Sequence, residues 1–189
     1  MYLFFDTETT GLPRRYNAPA TDFNNWPRLI QIAWMLYDGA GNEMQSADYI
    51  IKPEGFLIPK EAENIHGISN EKANAEGIFL KQALSEFLAA MKKSEILVAH
   101  NMSFDEKIVE AEFLRENMEH NMGNLKKICT KINSTEFCQL PGNYGFKWPS
   151  LTELHNKLFS SDFDGAHNAL SDVKICVKCF FELKRLGVV

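Results

Sequence analysis

The chain has 189 residues, 45% hydrophobic and 24% charged, with a formal net charge of -5 at pH 7. That length suits one well-buried domain over residues 1–189, and the composition excludes a disordered chain. The acidic balance argues against a protein that coats nucleic acid with a basic surface, but not against an enzyme whose bound cations meet phosphates.

No basic residue precedes Asp6, and Asp6 interrupts the short apolar N-terminus, so neither a secretory signal nor a membrane span is expected there. A cytoplasmic protein without membrane association follows. Cys129, Cys138, Cys176 and Cys179 are then expected as reduced thiols, the last two as small core residues of one helix face.

In chain order, residues 2–5 read as a short buried strand ending at Asp6, residues 29–37 as a second strand and 47–52 as a third. The cluster Asp38-Gly39-Ala40-Gly41-Asn42 between the latter two is a hairpin turn. Residues 14–28 form the longest irregular stretch, a length that marks a functional or mobile loop; Arg14, Arg15 and Arg28 flank it, suited to phosphate contacts or to a solvated surface. Apolar residues at helical spacing predict a helix from Leu80 to Met91, and 95–99 is a fourth strand. A helix follows from about Ser103 to Asn117, with Ser103 and Glu106 at capping-box spacing, then a short extended piece near 127–130. Helices are expected at 150–158 and from about 168 to 186. An antiparallel opening followed by alternating strands and helices predicts an α/β fold with helices on both faces of a mixed sheet.

Three places carry chemistry. Asp6 and Glu8 lie two apart, so along an extended chain their carboxylates project the same way and invite a cation. Asp105 follows the fourth strand in the first turn of a helix, where the helix dipole alone would favour an acid, although ligands also collect at the carboxyl ends of strands. His167 and Asp172 are five apart, about 140° around a regular helix, and share a site only if Asn168 caps the helix and leaves His167 on the preceding loop. Taken alone, each has an ordinary explanation: a polar strand end, a dipole-stabilised acid, a solvated loop.

Together, "DTETTGLP" with Asp6 and Glu8, "HGIS" at 66–69, "AHNMSFD" ending at Asp105 and the spacing of His167 and Asp172 resemble the DEDDh 3′-to-5′ exonucleases. This group includes the proofreading subunit of bacterial replicative polymerase, ribonuclease T and oligoribonuclease. The resemblance implies a ribonuclease H-like fold with a mixed five-stranded sheet. It implies that Asp6, Glu8, Asp105 and Asp172 hold two divalent metal ions, Mg²⁺ with Mn²⁺ able to substitute, about 3.5–4 Å apart. His167 would be the general base toward the attacking water, and the products would be 5′-mononucleotides. Thr7, Thr9, Leu12, His66, His100, Asn101 and Phe104 would contact the terminal nucleotide. The implied substrate is nucleic acid with a free 3′ end, single-stranded DNA favoured, with a replicative polymerase as a possible partner. An RNA-trimming exonuclease, a non-catalytic binding subunit and a phosphatase for small substrates stand as alternatives.

Overall fold

The computed structural model describes residues 1–161 and 168–189. Strand β1 (Tyr2–Thr9) is the middle of a five-stranded sheet, and its alternating side chains enter two different layers of helices. Strand β2 (Leu29–Tyr37) runs antiparallel beside it, from Tyr2↔Tyr37 to Thr9↔Leu29, and β3 (Glu43–Ile50) runs antiparallel to β2. Helices α1 (Lys60–His66), α2 (Asn70–Glu76) and α3 (Leu80–Met91) carry the chain back to β4 (Ile96–Ala99), parallel to β1 on its other side. Helix α4 (Met102–Arg115) then leads to β5 (Lys126–Cys129), parallel to β4, giving the order β3-β2-β1-β4-β5. After the short α5 (Thr130–Asn133) and α6 (Thr135–Cys138) comes a hairpin of β6 (Pro141–Gly142) and β7 (Gly145–Phe146). Helices α7 (Leu151–Phe159) and α8 (Ala169–Arg185) follow. This is the mixed ribonuclease H-like α/β architecture that the resemblance implied.

Leu3 and Phe5 enter a core with Phe87 of α3 and Ile108 of α4, whereas Phe4 enters the opposite core against Val173, Cys176 and Phe180 of α8. Each fully buried aromatic contributes about 2–3 kcal/mol relative to exposure. The position of α8 follows: its apolar stripe lies on the face to which even-numbered β1 residues point, and that face also carries Asp6 and Glu8. All four cysteines are unbridged, and Cys176 and Cys179 are buried in α8 as expected.

Three boundaries differ from the sequence reading. Strand β1 does not end at Asp6 but runs to Thr9, because β2 pairs with it opposite both acids, Asp6↔Ala33 and Glu8↔Gln31. Helix α4 begins at Met102 with Asn101 as its N-cap, so Ser103 does not cap it, and Glu106 pairs with Lys127 at 2.7 Å. The third strand starts earlier, at Glu43, and α1 and α2 were not foreseen. Asn168 does cap α8, accepting from the Ser171 amide at 3.2 Å, and α7 starts from a capping box of Ser150 and Glu153 that the sequence reading did not name. No helix among the described residues is long and apolar enough to cross a membrane.

Residues 14–28 are held in place. Asn25 closes on the Arg15 backbone in both directions, at 2.8 and 2.9 Å, and the Trp26 indole donates to the Pro19 carbonyl at 3.0 Å. Arg28 is not offered to a phosphate: its Nε donates to the fully buried Glu112 at 2.9 Å, and Arg15 reaches Asp22 at 3.3 Å.

Candidate active site

Pairing between β1 and β4 extends only from Tyr2↔Ile96 to Phe4↔Val98, and β1 continues alone on that side. The chain leaves β1 toward β2 on one side and returns as β4 on the other, so a crevice opens at the carboxyl ends of these two strands, where α/β sheets bind ligands. Asp6 and Glu8 stand on the wall of that crevice.

Helix α8 brings the third acid. Its first-turn residue Asp172 offers a carboxylate oxygen to the same point as Asp6 and Glu8, the three ligand atoms lying within 4.8 Å of one another. The N-terminal end of α8 is fixed by a residue that no motif revealed. Gln31, which is buried and paired opposite Glu8, accepts from the Ala169 amide at 3.3 Å through Oε1 and donates to Asp48 at 2.7 Å. Gln31 thus ties β2 and β3 to the helix that carries Asp172.

Asp105 stands next to this trio rather than within it. It is buried in the first turn of α4, and Oδ1 accepts from the Thr7 hydroxyl at 2.7 Å. Thr7 points to the opposite face of β1 from its neighbours Asp6 and Glu8, and through its hydroxyl it fixes Asp105 close enough for the charge of Asp105 to act on both.

The cost of bringing these charges together shows in their proton affinities. Burial pushes the Asp6 carboxyl well above the usual range, reinforced by Asp105, Asp172 and Glu8. Part of the Asp6 surface stays open to the crevice although protein encloses the carboxylate on most sides. Burial, with Asp172 and Asp105 adding, raises Glu8 from 4.5 to about 8. Asp105 rises to about 7 by burial, opposed by the Thr7 hydrogen bond, backbone amides and the charge of Lys131. Such acids give up their protons less readily than free carboxylates until a cation compensates them. Oxygen-only donors gathered this way fit a hard divalent ion.

A cavity of about 310 Å³ adjoins the trio, with Glu8 on its wall beside Thr7, Thr9, Leu12, His66 and Phe104. Leu12 is 74% exposed at the rim and Phe104 is buried at the base. Gly67, at φ +72, ends α1 in a left-handed turn, and the His66 Nδ1 beside it accepts from the Ile68 amide at 3.1 Å. Burial lowers the His66 pKa, with the Thr9 backbone pulling it the other way.

His100 and Asn101 do not line this cavity. Both ring nitrogens of His100 have protein partners, Thr130 Oγ1 at 3.0 Å and the Pro149 carbonyl at 3.1 Å. Burial lowers its pKa to about 4, which makes it a neutral pin between the end of β4 and the segment before α7. Asn101 accepts from Lys131 Nζ at 3.3 Å. His167 lies outside the described residues.

Residues 3–180 match the RNase T family, described as Exonuclease. Among curated proteins, DNA polymerase III PolC-type from Mycoplasmopsis pulmonis (strain UAB CTIP) is 30% identical over 118 residues, 62% of this chain and 7% of that protein. The same enzyme from Streptococcus pneumoniae serotype 2 is 34% identical over 119 residues, again 62% and 7%. The chain therefore spans less than a tenth of these relatives. E. coli exonuclease I in complex with a dT13 oligonucleotide superposes with a TM-score of 0.76 at 19% identity, covering 98% of this chain and 42% of that one. Exonuclease X in complex with 5′ overhanging duplex DNA superposes with a TM-score of 0.65 at 22% identity, covering 99% and 93%. At these identities the structural likeness speaks for the fold.

Proposed function

This chain belongs to the RNase T exonuclease family, and on that premise we propose that it hydrolyses single-stranded DNA from the 3′ end, releasing 5′-mononucleotides. The observation that carries the reading is the meeting of Asp6, Glu8 and Asp172 within 4.8 Å beside a nucleotide-sized cavity that Glu8 helps to line. In this reading those three acids hold one divalent ion, and Asp105, oriented by Thr7, supports a second beside Asp6. Mg²⁺ is the working metal, with Mn²⁺ able to replace it. When bound, the metals supply Lewis-acid stabilisation of charge on the attacking and leaving oxygens.

The chain's own residues do the rest. Phe104 and Leu12 enclose the terminal base or sugar from opposite sides of the cavity, and Thr7, Thr9 and His66 offer the polar edge that orients it. His167 takes the proton from the water that attacks the terminal phosphodiester; as an imidazole it is a neutral acceptor above about pH 6.5. His100 and Asn101 act one layer back, holding the end of β4 and the start of α4 in register with the cavity.

DNA is favoured over RNA because the similar exonuclease I and exonuclease X structures hold DNA and the curated relatives are DNA polymerases. Those relatives also support a polymerase as partner. The test compares single-stranded DNA and RNA of equal length with Mg²⁺, with chelator and with Asp6→Ala. DNA shortened from the 3′ end only by the wild-type chain with Mg²⁺ is expected; RNA degraded faster than DNA would replace the substrate, and no degradation of either would remove the activity.

A further inference from the structure

Residues 139–150, between α6 and α7, hold a hairpin that contributes nothing to the two main cores. The Lys147 amide donates to the Leu140 carbonyl at 2.9 Å below the two paired rungs, Pro141↔Phe146 and Gly142↔Gly145. At Gly142 a Cβ would sit 2.9 Å from the Gly145 carbonyl oxygen, so the strands close too tightly for any other residue. Leu140 anchors the base against the cluster of Cys138 and Leu154.

Lys147 pairs with Glu153 of α7 at 2.5 Å, while Tyr144 stands in the turn at the tip and Phe146 and Trp148 lie along the returning arm. Tyr144 is fully exposed, Trp148 is 61% exposed and Phe146 45%, and no ring of another described residue stacks on them. Three large exposed rings so close in the chain gain little from folding, because much of their apolar surface stays in water.

The base of the hairpin is linked to the crevice. Lys131 of α5 holds its ammonium 5.5 Å from the centre of the Trp148 ring and donates to Asn101, the N-cap of the helix that carries Asp105. Its charge is felt at Asp105, whose proton affinity it lowers. Pro149, next to Trp148, accepts from His100 at the end of β4. Contacts thus run from Asp105 through Asn101 and Lys131 to Trp148, and Phe146 and Tyr144 precede Trp148 in the chain toward the tip of the hairpin.

We infer that this hairpin is a stacking platform for the nucleotides upstream of the 3′ end, with Trp148 and Tyr144 receiving bases and Lys131 a phosphate. The inference rests on the exonuclease reading for the direction of the strand. Exposed rings next to a cation match the alternation of base and phosphate in single-stranded DNA, and stacking suits every base because each presents a π-face. Lys131 beside Trp148 supplies a positive charge that a polyanion can meet on this acidic chain.

Trp26 and Trp34 are buried, so Trp148 is the one tryptophan of three that a bound strand can reach. The experiment titrates a ten-nucleotide oligothymidylate in chelator at low salt, reading tryptophan fluorescence and the anisotropy of a labelled strand. The expected result is quenching in the wild-type chain, binding weakened about 5–100-fold in Trp148→Ala and in Tyr144→Ala, and recovery of most of the loss in Trp148→Phe. Unquenched Trp148, or wild-type affinity in both alanine variants, would overturn the platform. Binding without metal does not depend on turnover, so the two readings separate. A chain that quenches but never shortens the strand after Mg²⁺ is added loses the nuclease reading and keeps the platform. One that degrades DNA with an unchanged KM after Trp148→Ala loses the platform and keeps the nuclease.

Discussion

Replacing Glu8 with glutamine removes one of three carboxylates that face one another within 4.8 Å, and without a divalent ion it should make the folded chain more stable at alkaline pH. The Glu8 carboxyl goes from 4.5 to about 8 on folding. Between those values the folded chain holds a proton that the unfolded chain has released, so the free energy of unfolding falls as pH rises through this window. At about 1.4 kcal/mol per tenfold in proton affinity the ceiling is about 5 kcal/mol, and solvent at the partly open crevice reduces it to about 2–3 kcal/mol. Glutamine keeps the shape and carries no charge, so at pH 8.5 in chelator the variant should be the more stable by that amount, about 5–10 °C in melting temperature for a domain of this size. At pH 4, where both forms are protonated, the two should melt together. Adding Mg²⁺ at pH 8.5 should stabilise the wild-type chain strongly and the variant weakly. Thermal melts at the two pH values, with and without metal, read all of this. A variant less stable than wild type at pH 8.5 in chelator, or a difference independent of pH, would refute the claim that the trio repels itself when empty of cations.

Other consequences can be checked separately. Gln31→Leu unties α8 from β2 opposite Glu8 and should weaken Mn²⁺ binding about tenfold with little loss of secondary structure, read by calorimetric titration and circular dichroism. Glu112→Ala leaves Arg28 and Arg115 facing an empty buried position and should cost about 3–5 kcal/mol in denaturant unfolding, with cleavage by protease appearing first within residues 14–28. His167→Ala should lower single-turnover hydrolysis about 10²–10⁴-fold while Mn²⁺ still binds, and the wild-type rate should rise with pH through about 6.5 as the imidazole loses its proton. Full-rate hydrolysis by that variant would remove His167 from the chemistry.

The sequence was readable where the physics is local. The apolar spacing from Leu80 to Met91 gave the third helix its bounds, and the Asn168 cap follows from a side chain that bonds the amide three residues on. Asp6 and Glu8 were readable as a same-face pair because strand geometry has a period of two. Misreadings came where a distant partner decides. Strand β1 runs past Asp6 because β2, some 25 residues away, pairs with it there, and charge at the side chain does not end a ladder made by the backbone. The order in residues 14–28 depends on Glu112, more than 80 residues distant from Arg28, and the orientation of Asp105 depends on Thr7, 98 residues away. Helices α1 and α2, seven residues each and largely polar, lack the length that makes periodicity visible. Gln31 left no signal at all, since a glutamine within an apolar strand looks like an interruption until the N-terminus of α8 is placed over it.

The central claim is that Asp6, Glu8 and Asp172 together hold a divalent ion. Titrating Mn²⁺ into the wild-type chain and into Asp172→Asn, with free Mn²⁺ read by electron paramagnetic resonance, tests it without any nucleic acid. The account predicts saturable binding by the wild-type chain and its loss, or weakening by at least tenfold, in the variant. Equal binding by both would mean that the meeting of these three carboxylates is not a metal site.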